Sequence, residues 1–267
     1  MNLIDQTFTR LKENQKTALI PFLTIGDPDV DTSVQIIAEL EAAGADIVEL
    51  GVPYSDPLAD GPVIQRASQR ALKHQVNIVS CMEAAVKARA AGVKLPFILF
   101  TYYNPVLQFG LDRFFEEVKK HDISGLIIPD LPVEESAELT RRAETAEIHV
   151  IPLVAPTSNE RIKSIVAGAK GFVYCVSSLG VTGERSSFFV GVEEFIGQVK
   201  QYTDIPAVVG FGISNREQAE KFARISDGVV VGSAIVRQIE EAIPLLQNMD
   251  TRQEGLLQIR KFVAQLK

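Results

Sequence analysis

A glutamate stands in this chain where an apolar strand leaves little room for one. In the stretch AGADIVELGVPYSDPLADGP, Ala43 to Pro62, Glu49 sits among Ile47, Val48 and Leu50, and Asp60 lies in the loop that follows. Side chains of that kind read as a strand buried on both faces, so a carboxylate in their midst needs a charged partner, hydrogen bonds or a chemical task. Two readings of Glu49 are open. It pairs with a Lys or Arg on a neighbouring strand, or it is a general acid/base whose pKa is raised by apolar walls, able to exchange a proton with carbon or oxygen of a bound molecule. Its place at a strand end favours the second. Asp60 and Asp56 lie in DPLADGP, a run of turn formers in which an aspartate before glycine is ordinarily a turn residue. Tyr174 reads as packing, with a hydroxyl that needs a partner if buried. Phe22, Phe100 and Phe211 are packing residues by default, yet they fall at or near strand ends, where they could line a pocket for a flat aromatic ligand.

A second chemical signal comes from three glycine turns: GVTG at Gly180 to Gly183, GFGIS at Gly210 to Ser214, and GSA at Gly232 to Ala234. Backbone N–H groups at such turns, and at the helix starts behind them, can cradle a phosphate without a basic side chain. None of the three contains Lys or Arg, which fits that mode. A helix N-terminus favours a nearby anion by only ~0.3 to 2 kcal/mol, so several N–H groups must converge. One such turn alone would read as a tight connection; glycine turns after three successive strands point to phosphate.

These residues have to be positioned by something. Apolar runs of strand length alternate with amphipathic helical segments from end to end, the pattern of βα units and a parallel sheet. Eight runs are present: ALIPFLT from Ala18, DIVEL from Asp46, PFILFT from Pro96, GLIIP from Gly125, HVIPLV from His149, GFVYCV from Gly171, PAVVGF from Pro206 and GVVVG from Gly228. Eight parallel strands in 267 residues predict a closed (β/α)₈ barrel, because closure removes exposed edges. An open doubly wound sheet is the alternative, and Pro21 and Pro152 weaken two of the runs, since proline cannot donate to a ladder. Helical pieces from Asn2 and from Thr251 stand outside the alternation. No linker marks a second domain, so a single domain over residues 1–267 is expected. Chemistry in a barrel gathers at the C-terminal strand ends, where Asp27, Glu49, Tyr102, Asn104 and Asp130 all fall.

Composition narrows the partners. A hydrophobic share of 46% supports a large core, and a net charge of -7 argues against nucleic acid. The two cysteines, Cys81 and Cys175, lack metal-ligand spacing and read as a reduced pair, and His74, His121 and His149 form no cluster; no metal site is expected. Neither a signal peptide nor a run of membrane-spanning length is present, so a soluble cytoplasmic protein is expected.

The segments ELGVPYSDPLADGPVIQ, PDLPVEES, SSLGVTG, GFGIS and VVGSAIV resemble, in that order and over the whole length, those of the tryptophan synthase alpha chain family. The resemblance implies a TIM barrel lyase that cleaves indole-3-glycerol phosphate to indole and glyceraldehyde 3-phosphate by a retro-aldol reaction. It implies no cofactor in this chain and a pyridoxal-phosphate beta chain as partner in a heterotetramer. Residue by residue, it makes Glu49 the acid/base at the indole ring carbon, Asp60 the group at the indole nitrogen, Tyr174 their neighbour and Thr182 the loop residue that orients Asp60. It assigns Gly183, Phe211, Gly212, Gly232 and Ser233 to the phosphate and Phe22, Phe100, Tyr102 and Ile127 to the indole pocket. Pro53, Asp56, Asn104 and Pro132 fall in loops that face the beta chain. Ser178 departs from the arginine that some members carry, and the segment 177–190 has the length and composition of a lid. Two rivals stand beside this reading. Another phosphosugar barrel would share the turns, but the acidic loop offers neither metal-ligand histidines nor a catalytic lysine. A non-catalytic phosphate-binding barrel that regulates a partner chain is the other, and the presence of both Glu49 and Asp60 speaks against it.

Overall fold

The computed structural model describes residues 1–176, 191–210 and 212–267. Its strands are β1 (Ala18–Thr24), β2 (Val48–Gly51), β3 (Phe97–Phe100), β4 (Ile123–Ile127), β5 (His149–Val150), β6 (Leu153–Val154), β7 (Val173–Val176), β8 (Ala207–Gly210) and β9 (Gly228–Val231). Every pairing is parallel, in the order β5-β4-β3-β2-β1-β9-β8-β7-β6.

The two ends of that order are neighbours in the chain. Only Ile151 and Pro152 separate β5 from β6, so the sheet closes on itself through one segment, with β5 on β4 and β6 on β7. The result is a (β/α)₈ TIM barrel of eight staves, and the open-sheet alternative falls because it would leave two distant edges. The prolines explain how the staves tolerate them. The Ile151 N–H donates to Leu126 at 2.9 Å on one side, while Pro152 offers only its carbonyl, to the Tyr174 N–H at 2.9 Å, on the other. Pro21 is the last residue of β1 in register with β9, just before Phe22 opens the register with β2.

Alternation sorts the strand side chains into two cores. Leu19 and Leu23 of β1 point outward into the layer beneath the helices, whereas Ala18, Ile20 and Phe22 point into the barrel. The N-terminal helix Leu3–Glu13 belongs to the inner core: Ile4, Phe8 and Leu11 are buried there, with Phe8 against Phe172 at 5.6 Å. Asn2 caps that helix and anchors it through Ser124 O at 2.8 Å, so the helix plugs the floor of the barrel. The C-terminal helix Arg252–Ala264 packs outside on Ser233–Leu246 and Val30–Ala42. Two helices that matter below were not singled out from the sequence, Pro62–Lys73 and Ser233–Leu246; Pro62 at the first position of the former was the available signal. Cys81 and Cys175 are free and buried. Among the described residues no helix is long and apolar enough to cross a membrane.

Candidate active site

The C-terminal rim of β1, β2 and β3 brings aromatic rings and a carboxylate into one layer. Glu49 of β2 is in register with Phe22 of β1 and Ile98 of β3, pointing into the barrel. Phe22 and Phe100 meet edge to face at 5.5 Å and 79°. Gly51 makes room for them, since a Cβ there would come within 2.4 Å of the Phe22 ring. Apolar walls thus surround Glu49, which is 1% exposed, and among the described residues its Oε1 has no hydrogen-bond partner. Among the described residues no Lys or Arg pairs with it, which sets the salt-bridged reading aside. Burial pushes its pKa up to about 8, so the side chain is a neutral acid at pH 7, ready to give a proton.

Asp60 reaches the same space from the loop after β2, immediately before helix Pro62–Lys73. It is 6% exposed; burial raises its pKa to about 6, against the opposing pull of a hydrogen bond from the Tyr102 hydroxyl. Two carboxyl groups with pKa values set apart in one pocket are the signature of an acid and an anionic stabiliser. Tyr174 completes this side from β7, in register with Leu153 and Val208. Burial, and after it the charge of Glu49, raises its pKa, so the phenol stays protonated. Its ring lies over Gly210, where a Cβ would meet the hydroxyl oxygen at 2.2 Å.

Together Phe22, Glu49, Asp60, Phe100, Tyr174, Gly212, Gly232 and Ser233 line a pocket with about 420 Å³ of space, part of it open to solvent. Eight residues singled out from the sequence are thereby brought together. Gly232 and Ser233 stand at the start of helix Ser233–Leu246, where no side chain caps the first N–H groups, and Gly212 adopts φ +91°. That end of the pocket suits an anion bound by backbone. Thr182, Gly183, Ser178, Phe211 and the expected lid lie outside the described residues.

Two residues assigned to the indole pocket, Tyr102 and Ile127, stand next to this space without lining it. Tyr102 is absent from the lining; its hydroxyl accepts the Ala59 N–H at 3.0 Å and bonds to Asp60, while its ring stacks on Tyr54 at 5.1 Å. It supports the acidic loop from its place after β3, as the residue that precedes helix Tyr103–Phe109. Ile127 ends β4 and is packed in the barrel interior. Ile64 and Val230 line the pocket instead. The signal for Val230 was its alternation with Gly228 and Gly232 along β9; that for Ile64 was its place in ADGPVIQ, four residues after Asp60. Among the rim residues expected to face a partner, Asp56, Asn104 and Pro132 are exposed and Pro53 is buried. Leu58, beside Asp56, is 76% exposed. Among the described residues no group of three or more His, Cys, Asp or Glu is placed to hold a metal ion.

Known proteins match this chain over almost its full length. A family model for the tryptophan synthase alpha chain matches residues 8–266. The tryptophan synthase alpha chain of Bacillus pumilus (strain SAFR-032) is 55% identical over 253 residues, 95% of this chain and 94% of that one. That of Bacillus subtilis (strain 168) is 53% identical over 243 residues, 91% of each chain. Among solved structures, the tryptophan synthase alpha subunit of Legionella pneumophila str. Paris superposes with a TM-score of 0.89 at 33% identity, covering 100% of this chain and 97% of that one. A chain of Mycobacterium tuberculosis tryptophan synthase gives a TM-score of 0.87 at 38% identity, over 98% and 96% of the two chains. With sequence and fold in agreement along the whole barrel, the chain belongs to the tryptophan synthase alpha chain family.

Proposed function

We propose that this pocket cleaves indole-3-glycerol phosphate to indole and glyceraldehyde 3-phosphate, the lyase step of this family in tryptophan biosynthesis, with Glu49 as acid/base and Asp60 as its electrostatic partner. The observation that carries the assignment is the pair of carboxyl groups in one apolar pocket, one held neutral to about pH 8 and the other ionised above about pH 6. A carbon–carbon bond between an aromatic ring and a glycerol carbon breaks only if the ring carbon is first protonated, which makes the ring a leaving group. Glu49 supplies that proton. Positive charge then spreads to the ring nitrogen, where the Asp60 carboxylate stabilises it and accepts the N–H. The bonding pair returns to the ring as indole departs, and the hydroxyl on the former glycerol carbon becomes the aldehyde by giving its proton back to Glu49. Tyr174 packs beside the pair.

Phe22, Phe100, Ile64 and Val230 offer the flat apolar slot for the ring. The phosphate is anchored at Gly212, Gly232 and Ser233, joined by Gly183 and Phe211, with Thr182 turning Asp60 toward the ring. The chain works as one cytoplasmic domain, without a cofactor of its own, in a heterotetramer whose beta chain carries pyridoxal phosphate. Support for a partner at this rim comes from exposed Leu58, Asp56, Asn104 and Pro132 around the mouth, and from the Mycobacterium tuberculosis structures of tryptophan synthase. Indole release from indole-3-glycerol phosphate, measured with and without a beta chain, tests the reading. Release in both conditions, stronger with the partner and lost in Glu49→Gln, is expected; no release in either would favour a regulatory barrel.

A further inference from the structure

Helix Pro62–Lys73, which starts directly behind Asp60, carries Arg70 in its last turn. Its guanidinium is gripped from two sides. Nε and Nη2 donate to the two carboxylate oxygens of Asp27 at 2.7 and 2.8 Å, and Nη1 donates to Glu240 at 2.6 Å. Asp27 follows β1 and is 1% exposed; Glu240 belongs to helix Ser233–Leu246. One turn nearer the pocket, Arg66 donates to both oxygens of Glu240 at 2.9 and 2.7 Å.

Each element so joined contributes to the pocket: β1 brings Phe22, the Pro62 helix brings Ile64 and the loop of Asp60, and the Ser233 helix brings the anion-binding turn. Neutralising Asp27 needs only one face of the guanidinium. The second face, turned to Glu240, joins the Arg66 pair in tying together the two helices that bring Ile64 and Ser233 to the pocket. The Arg70 fork grips Asp27 and leaves one Nη1 bond for Glu240, whereas Arg66 holds Glu240 with its own fork, which fixes distance and angle as a single ammonium does not. Arg70 is only 25% exposed, so the clamp is not a screened surface pair.

We propose that Glu240, held by Arg66 and Arg70, is a positioning residue: the tie sets the separation between the Asp60 end of helix Pro62–Lys73 and the phosphate end of helix Ser233–Leu246, so that a substrate bridging both is presented to Glu49 in register. This rests on the function proposed above. A molecule that uses only one anchor does not sense that separation; the whole substrate does.

The test uses the full chain with Arg70→Lys and Glu240→Gln. Three quantities are measured for each: kcat/KM for indole-3-glycerol phosphate, and Kd by calorimetry for indole alone and for inorganic phosphate alone. Folding is checked by thermal melting. The expected result is fragment affinities within about twofold of wild type and a kcat/KM lowered about tenfold or more, chiefly in kcat, since misplacement of reacting groups acts on the chemical step. Fragments and substrate weakened in parallel, or a kcat/KM within about twofold of wild type in Glu240→Gln, would overturn the positioning role. Should Arg70→Lys fail to fold, Glu240→Gln decides alone, because Asp27 keeps its arginine there; failure of both to fold would make the clamp purely structural and overturn the proposal. A wild-type chain that releases no indole defeats the functional reading instead, so the two failures are distinguishable.

Discussion

Asp46 and Glu49 flank the start of the same strand and meet opposite fates. At the floor of the barrel the Asp46 carboxylate accepts the Leu19 N–H at 2.9 Å and the ammonium of Lys267. Asp227 repeats the arrangement beneath β9, accepting the Ala207 N–H at 2.8 Å and pairing with Lys200 at 3.0 Å. At the rim, Glu49 is more deeply buried and its Oε1 has no partner among the described residues. The floor satisfies its acids and so uses them to hold strands to their neighbours. The rim leaves one acid unsatisfied, which weakens the fold and creates a proton donor. Stability and reactivity are thus separated along a strand a few residues long, in keeping with the division of labour between the two faces of such barrels.

Exchanging amide for acid at each end breaks or sharpens this contrast. Glu49→Gln and Asp60→Asn should retain the fold and lower turnover by at least ~10²-fold, the lower bound for a positioned acid/base. Asp46→Asn should leave kcat unchanged; steady-state assays on the three variants decide it, and near wild-type rates in Glu49→Gln would remove the rim from the chemistry.

Next in size is the pH response. Because Asp60 must be ionised and Glu49 protonated, kcat/KM should rise as pH passes about 6, where Asp60 loses its proton, and fall beyond about 8, where Glu49 loses its own. On each flank the change approaches about tenfold per pH unit. A flat profile from pH 5 to 9 would contradict the pairing of roles.

Stability should move in opposite directions at the two ends. Asp46→Asn removes the charge that pairs Lys267, and denaturant titration should show a loss of about 1 to 3 kcal/mol. Glu49 works the other way. Its folded pKa of about 8 lies above the ordinary 4.5, so its stabilising share is complete below pH 4.5 and is lost as pH rises through 8. Relative to wild type, Glu49→Gln should therefore gain at least about 1 kcal/mol between pH 5 and pH 9. A wild-type stability that climbs over that interval together with an unchanged difference from the variant would show that Glu49 is not a buried acid.

Much of this was legible in the sequence, for identifiable reasons. Strand-length apolar runs alternating with helices gave the barrel, because both faces of each stave are buried. Glu49 stood out by the same logic, as a charge in a place that solvates none. Tyr102 was harder. Its position just after β3 placed it at the rim and the resemblance assigned it to the indole pocket, but how a side chain past a strand end turns depends on the neighbouring loop, here the one that carries Asp60. The closing stave was similar: Pro152 looked like damage to a strand, whereas each half of that strand pairs with a different neighbour and the ladder asks proline only for its carbonyl.

The order of elements, the identity of the acids and the family likeness were determined by the chain alone, since periodicity and local turn chemistry act over a few residues at a time. Which carboxylate found a cation and which did not was decided only in three dimensions. Asp27 lies 43 residues from Arg70, Glu240 lies 170 from it, and Lys267 lies 221 from Asp46. Burial and charge pairing depend on distances through space that no stretch of sequence contains, and it is the absence of such a partner at Glu49 that turns a buried side chain into an acid.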